Sequence, residues 1–273
     1  GKINLLELKH KLNANEIKKI LVNYNNNVQV KDTDIKFSSE KKKHVVELKG
    51  LINLANKYEK FKSKIVFDKE KNNESFYTEL NIKSANVKLS SLNYEKEIDH
   101  FASLKFKGGH QKNKGFGFEF IEYKESDNLI LINNIQFNEK MQINNVEELI
   151  VQTTHDNSIN NKFKLSKDKN IKIQGEIFDL RPLLDTLYKS NKRKLFSKKF
   201  NEQMSINIEE MIANDGNNLL KFSMISEIED GEYAKLSAKG KFSEDEIIEA
   251  SIYKRGNNKK VVHIISDRAE PFI

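Results

Sequence analysis

The feature that most constrains this chain is the period-two alternation of its apolar residues, the spacing that sends successive side chains to opposite faces of a β-sheet. Phe76, Thr78, Leu80 and Ile82 share one parity, as do Leu104 and Phe106, and again Phe116, Phe118 and Phe120. The pattern returns in Ile171 and Ile173, in Met204, Ile206 and Ile208, and in Leu220, Phe222 and Met224. Each run reads as a strand with one apolar face. Short polar connectors at 71–74, 125–128, 166–170, 229–232 and 255–258 separate such runs. Their Asn, Asp and Gly residues tolerate the positive φ of tight hairpin turns, so the expected topology is a long antiparallel meander. With only two prolines in the chain, almost every strand keeps its backbone donors.

Two segments leave this period. Leu180, Leu183, Leu184 and Leu187 stand at helical spacing, with Asp179 as the expected N-cap and Pro182 in the first turn, where its missing N–H costs nothing. A second short helix is expected from Ala14 to Tyr24, capped by Asn13, with Ile17, Ile20, Leu21 and Tyr24 as its stripe. The expected organisation is a β segment over 1–178, a helix with a basic linker over 179–199, and a further β segment over 200–273. Apolar residues make up 37% of the chain and charged ones 32%, a supply suited to an architecture that buries one face of each element. The 17 Phe and 8 Tyr, set in phase, argue against disorder.

The search for chemistry excludes more than it finds. With no cysteine, disulfides, thiolate metal sites and cysteine nucleophiles are ruled out. His10, His44, His100, His110, His155 and His263 stand far apart, with no pair at metal-ligand spacing. Gly115-Phe116-Gly117 opens a dinucleotide fingerprint, but Phe120 occupies the third glycine position and the segment reads as a strand. Adjacent carboxylates such as Glu147 and Glu148 would point to opposite faces of a strand. No catalytic residue, cofactor or metal is expected, and the chain reads as a non-enzyme. The net charge of +7 comes from Lys spread along the whole chain. Its densest cluster, Lys189 to Lys199, holds Lys192, Arg193, Lys194 and Lys198 but no interleaved aromatic stripe beyond Phe196, so nucleic acid is not the expected partner.

Three stretches resemble a known family: 82–96, from Ile82 through Leu89 and Tyr94; 173–184, where Gly175-Glu176-Ile177-Phe178-Asp179 leads into Arg181-Pro182 and a leucine helix; and 264–269. In this order and spacing they resemble the AsmA-like proteins of the Gram-negative envelope, in particular the YhdP-like branch. At the last stretch the family's Asp-Ala-Gly is replaced by Asp267-Arg268-Ala269. The resemblance implies a mainly β protein whose twisted, curved meander forms an open, taco-like groove with a continuous apolar lining and one or two short helices. It also implies a periplasmic location, an inner-membrane anchor outside this segment, and phospholipid acyl chains as cargo moving between the inner and outer membranes. The implied lining is Leu80, Ile82, Leu104, Phe106, Phe116, Phe118, Phe120, Ile171, Ile173, Ile206, Ile208, Leu220, Phe222 and Met224.

A one-faced sheet must cover its apolar side by closing on itself, by packing helices, or by holding a ligand. The same residues therefore suit a closed β core serving as an envelope assembly scaffold with protein partners and no lipid. Periodicity alone does not separate this from the groove.

Overall fold

The computed structural model describes residues 1–8, 14–24, 27–55, 57–111, 115–139, 142–189, 196–213, 218–255 and 259–268. The expected cap Asn13, His10, the turn residues 256–258, Ala269, and Lys192, Arg193 and Lys194 of the basic run lie outside them. The strands are β1 (Lys2–Leu8), β2 (Val28–Glu40), β3 (Lys43–Asn53), β4 (Tyr58–Asp68), β5 (Asn73–Asn81), β6 (Val87–Leu89), β7 (Tyr94–Lys96), β8 (Ser103–Gln111) and β9 (Gly115–Glu125). They continue as β10 (Asn128–Phe137), β11 (Ile143–His155), β12 (Ser158–Lys167), β13 (Ile171–Asp179), β14 (Glu202–Ile212), β15 (Leu219–Glu229), β16 (Glu232–Lys241), β17 (Ile247–Arg255) and β18 (Lys259–Ser266). Helix α1 covers Ala14–Ile20 and α2 covers Arg181–Lys189.

The protein is mainly β. All strands except β6 and β7 join one 16-stranded sheet in chain order, with β1 and β18 at its two edges, and the sheet does not close on itself. Hairpin neighbours such as β3 and β4, or β14 and β15, are antiparallel. Turn residues Asn72, Ser126 and Asp230 take the expected positive φ. Among the pairings described, that of β13 with β14 is parallel; a parallel neighbour needs a crossover, and α2 lies in that connection. The chain forms two compact units, Gly1–Ser90 with Tyr94–Leu149, and Ser91–Asn93 with Ile150–Ile273.

In the first unit, α1 is shorter than the leucine–isoleucine stripe suggested. Leu21 leaves the helix to bridge Val87, and Asn23 donates to the Ser84 carbonyl and accepts from the Asn86 amide. Beside this, Lys96 is buried, and its ammonium donates to the carbonyls of Lys83, Ala85 and Glu97 at 3.2, 2.6 and 2.8 Å. Burial pushes its pKa down. Tyr94 bonds the Tyr123 hydroxyl at 2.7 Å and Glu125 at 2.8 Å, and Asn128 donates to the same carboxylate. Burial and these neighbours lift the Tyr94 hydroxyl well above the ordinary phenol range. A polar cluster of this kind is stable in the interior only because its members are bonded to one another.

In the second unit the same principle fixes the start of α2. Asp179 ends β13 with its side chain fully buried. Arg181 clamps its carboxylate with Nε to Oδ1 at 2.8 Å and Nη2 to Oδ2 at 2.7 Å, while Asn93 and Asn160 donate to Oδ2. Asn161 accepts from the Asp179 amide and donates to the Leu92 carbonyl and to Thr153. The carboxylate also accepts from the Arg181 amide, but the helical carbonyl that receives the first turn is that of Leu180. Asp179 is thus one residue outside the cap position that the spacing suggested, and works as an anchor between three segments.

Burial works against the charged Asp179 carboxylate, but the hydrogen bonds from Arg181, Asn93 and Asn160 outweigh it and hold its pKa below the ordinary value. A carboxyl with a depressed folded-state pKa contributes stability above its unfolded pKa of about 3.9, and loses it as pH falls through the lower folded value. Asp179→Asn should therefore cost about 2–4 kcal/mol at neutral pH, since it leaves Arg181 without its carboxylate. Urea titrations of both proteins should show this gap shrinking as pH drops below about 4.

Candidate functional site

Strand register assigns every residue of a strand to one of two faces. In the first unit, one face carries the cross-strand row Phe37, Val46, Ile65, Phe76, Gly108, Phe118 and Ile135. Beside it runs Ile35, Leu48, Ser63, Thr78, Phe106, Ile121 and Ile132, and then Phe61, Leu80, Leu104, Tyr123 and Ile130. The Ser63 and Thr78 hydroxyls satisfy each other at 2.9 Å, so this row is polar only where a pair can close on itself. Gly108 leaves room in the middle: a Cβ there would meet Gly117 O at 2.5 Å and the Phe118 ring at 3.0 Å. Over it the rings of Phe76, Phe106, Phe116, Phe118 and Phe137 meet at centroid distances of 5.4–6.1 Å, mostly edge to face.

The opposite face is a charge ladder. Its central row is Asp34, Lys49, Lys62, Glu79, Lys105 and Glu122, with Lys105 bonded to Glu122 at 3.0 Å. Next to it stand Lys36, Glu47, Lys64, Tyr77, Lys107, Phe120 and Asn133.

In the second unit the apolar face is more continuous. The row Leu165, Ile173, Ile206, Met224, Ala238, Ala250 and Ile264 crosses seven strands with no charged or polar residue in it. Flanking it are Ile171, Met204, Ser226, Leu236, Ile252 and Val262 on one side, and Phe163, Gly175, Ile208 and Phe222 on the other. Ile171, Met204, Met224 and Ile228 form a buried core against which Phe196 and Phe200 pack. Towards the edge the cover ends: Ile264 is 49% and Val262 60% exposed.

Of the residues expected on the lining, Leu80, Leu104, Phe106, Phe116 and Phe118 share the apolar face of the first unit. Ile171, Ile173, Ile206, Ile208, Phe222 and Met224 share that of the second. Two expectations are corrected. Phe120 lies on the charged face, with its ring against Tyr77 and its partner Lys107 across the strand pair. Leu220 lies on the opposite face of the second unit, in a row of Lys162, Ile177, Glu210, Leu220, Lys241 and Ile247 that mixes charged and apolar residues. Ile82, just after β5, exchanges backbone hydrogen bonds with Ala102, which continues the register of Leu80 with Leu104 and keeps the buried Ile82 on the face of Leu80.

Phe120 and Leu220 change sides for one reason. The β8–β9 register slips between Lys107 and Gly108, and the β15–β16 register between Leu220 and Ser223. Asn134 and Lys221, inside β10 and β15, take φ of 52° and 50°, and Asp32 in β2 takes 47°. An extra residue in this conformation reverses the alternation, so the apolar face continues at i+3 and not at i+2. Val30 and Thr33, Phe118 and Ile121, Ile132 and Ile135, and Leu219 and Phe222 are such steps. Leu219, Ile132, Ile135 and Phe137 were missed for this reason. An apolar i, i+3 step across an Asn, Asp or Lys within a strand pattern is the signal that would have found them.

Among the described residues, no group of three or more His, Asp or Glu is gathered to hold a metal ion, and no helix is long and apolar enough to cross a membrane. His100 faces Glu125 at 3.5 Å and His44 bonds Ser39 at 2.9 Å. Comparisons with protein-family models, with curated proteins and with solved structures give no match to this chain.

The phase reversal has a direct test in neighbouring leucines. Leu220→Lys should leave stability within about 0.5 kcal/mol of the parent, as surface changes do, because Leu220 already stands among charges. Leu219→Lys should cost about 1–3 kcal/mol, because it sets an ammonium among Phe222, Gly240 and Ile248. Urea midpoints of the two single variants decide it; equal losses would put both leucines on one face.

Proposed function

We propose that this chain is a segment of an AsmA-like envelope protein of the YhdP-like branch, and that its apolar faces shield phospholipid acyl chains passing between the inner and outer membranes. The observation that carries the proposal is the uncharged row from Leu165 to Ile264, which crosses seven strands of a sheet that does not close. Among the described residues, α2 and the Phe196–Phe200 segment are too short to cover seven strands, and the row ends exposed at Ile264. Each acyl methylene withdrawn from water onto such a surface contributes about 0.8 kcal/mol. In the first unit, the charge ladder opposite the apolar face keeps that side in water. In this reading the protein works in the periplasm, reaches the inner membrane through a segment outside this chain, and performs no bond chemistry.

Photo-crosslinkers placed at Phe118, Ile173 and Phe222 of the parent protein in cells should recover phospholipid. Crosslinkers at Phe120 and Leu220, each two residues away but on the opposite face, should recover little. The proposal fails if the first three positions yield no lipid.

A second reading, an envelope assembly scaffold, draws on β18. Val262, Ile264 and Ile265 are exposed there on a strand paired on one side only. Such an edge can take a partner's strand. A partner protein captured through β18, and still captured by a Phe222→Asp variant, would favour it over lipid carriage.

A further inference from the structure

One buried part of the second unit's apolar face packs against a piece of chain that is not part of the sheet. Phe196 and Phe200 stack at 4.8 Å with their rings 8° from parallel, and Phe196 meets Tyr233 edge to face at 5.8 Å. Together they sit on Ile171, Met204, Met224 and Ile228. The same cross-strand rows lie exposed at Val262 and Ile264, where no such aromatic pair packs.

Few bonds hold the pair down. The Phe200 amide donates to the Ser197 carbonyl at 2.9 Å, the Gly231 amide to the Phe200 carbonyl at 3.0 Å, and the Asp230 amide to Asn201 Oδ1 at 2.8 Å. Gly231, at φ 74°, lets the β15–β16 turn approach so closely that any Cβ there would collide with the Ser197 and Phe196 carbonyls. The fit is a docked contact between a loop and a turn. In the row between Met204 and Leu236, next to this core, the Ser226 hydroxyl is buried without a hydrogen-bond partner.

We propose that the Phe196–Phe200 pair is an exchangeable plug, which an acyl chain displaces from the apolar face of the second unit. The proposal rests on the lipid-carrying reading above and names where the cargo enters. Areas support the exchange. Both rings are half-buried, so together they withdraw less than the roughly 300–500 Å² of two fully buried aromatic side chains. At about 30 Å² per methylene, an acyl chain of about 10–16 methylenes hides at least as much apolar area as the pair it replaces. An ester carbonyl arriving with the chain would also give the Ser226 hydroxyl the acceptor that the rings lack.

Amide exchange followed by NMR tests this on the parent chain, with vesicles of phosphatidylethanolamine and phosphatidylglycerol whose acyl chains carry a diazirine. Lipid should speed exchange of the Phe200, Asp230 and Gly231 amides at least several-fold and leave the ladder amides of Ile206 and Met224 unchanged. Photolysis should label the face around Ile171 and Met204, and Phe196→Ala/Phe200→Ala should raise that labelling several-fold without added competitor. Labelling near Ile173 and Phe222 with the three plug amides unmoved would overturn the plug and leave lipid carriage standing. No labelling on either face, in the parent or the variant, would overturn both. Should the double variant fold poorly, the exchange measurement on the parent still decides.

Discussion

A single-layer sheet depends on keeping one face in phase from strand to strand, because a slip of one residue exchanges every inward side chain for an outward one. In this protein the constraint is met in spite of extra residues in the strands. Asn134 and Lys221 each reverse the alternation of their own strand, and the neighbouring strands absorb the change at matching positions. In the second unit Gly175, Ile208 and Phe222 stand on one side of the reversal, and Ile177, Glu210 and Leu220 on the other, all in register. The shift is therefore carried as a band across β13, β14 and β15, and the apolar rows survive it. Ladders of opposite charge on the other face, such as Lys105 with Glu122, add the cross-strand preference that discourages slippage.

The polar interior groups act where the rows end. Asp179 joins β13, α2 and the Ser90–Leu92 turn through Arg181, Asn93, Asn160 and Asn161. Lys96, Tyr94 and Glu125 do the equivalent work within the first unit. A buried carboxylate or ammonium is costly unless its partners are complete, and these sets are nearly complete. Such groups contribute less to net stability than to the uniqueness of the arrangement, since an alternative packing would strand them.

The strands, the polar turns and α2 were legible in the sequence because each rests on local chemistry: alternation, residues tolerant of positive φ, and leucines at helical spacing. What stayed hidden was non-local. Phe116, Phe118 and Phe120 look equivalent along the chain, and only the slip against β8 sends Phe120 to the side of Tyr77 and Lys107. Leu219 and Leu220 are adjacent and chemically identical, and the conformation of Lys221 alone decides which of them faces Phe222. The parallel pairing of β13 with β14 was likewise unreadable from hairpin signals, since no hairpin makes it.

That parallel pair has a consequence for the position of the aromatic cover. Because β14 runs in the same direction as β13, the chain leaving Asp179 must travel back along the full length of a strand before Glu202 can begin the next one. For the 11 residues of β14 that distance is roughly 35 Å. Antiparallel hairpins return the chain within a few residues and bring nothing over the face of the sheet. The crossover delivers Phe196 and Phe200 to the start of β14, beside Met204 and the Asp230–Gly231 turn. This parallel crossover thus supplies the aromatic pair that packs on the face at Ile171 and Met204, while Val262 and Ile264 in β18 are exposed.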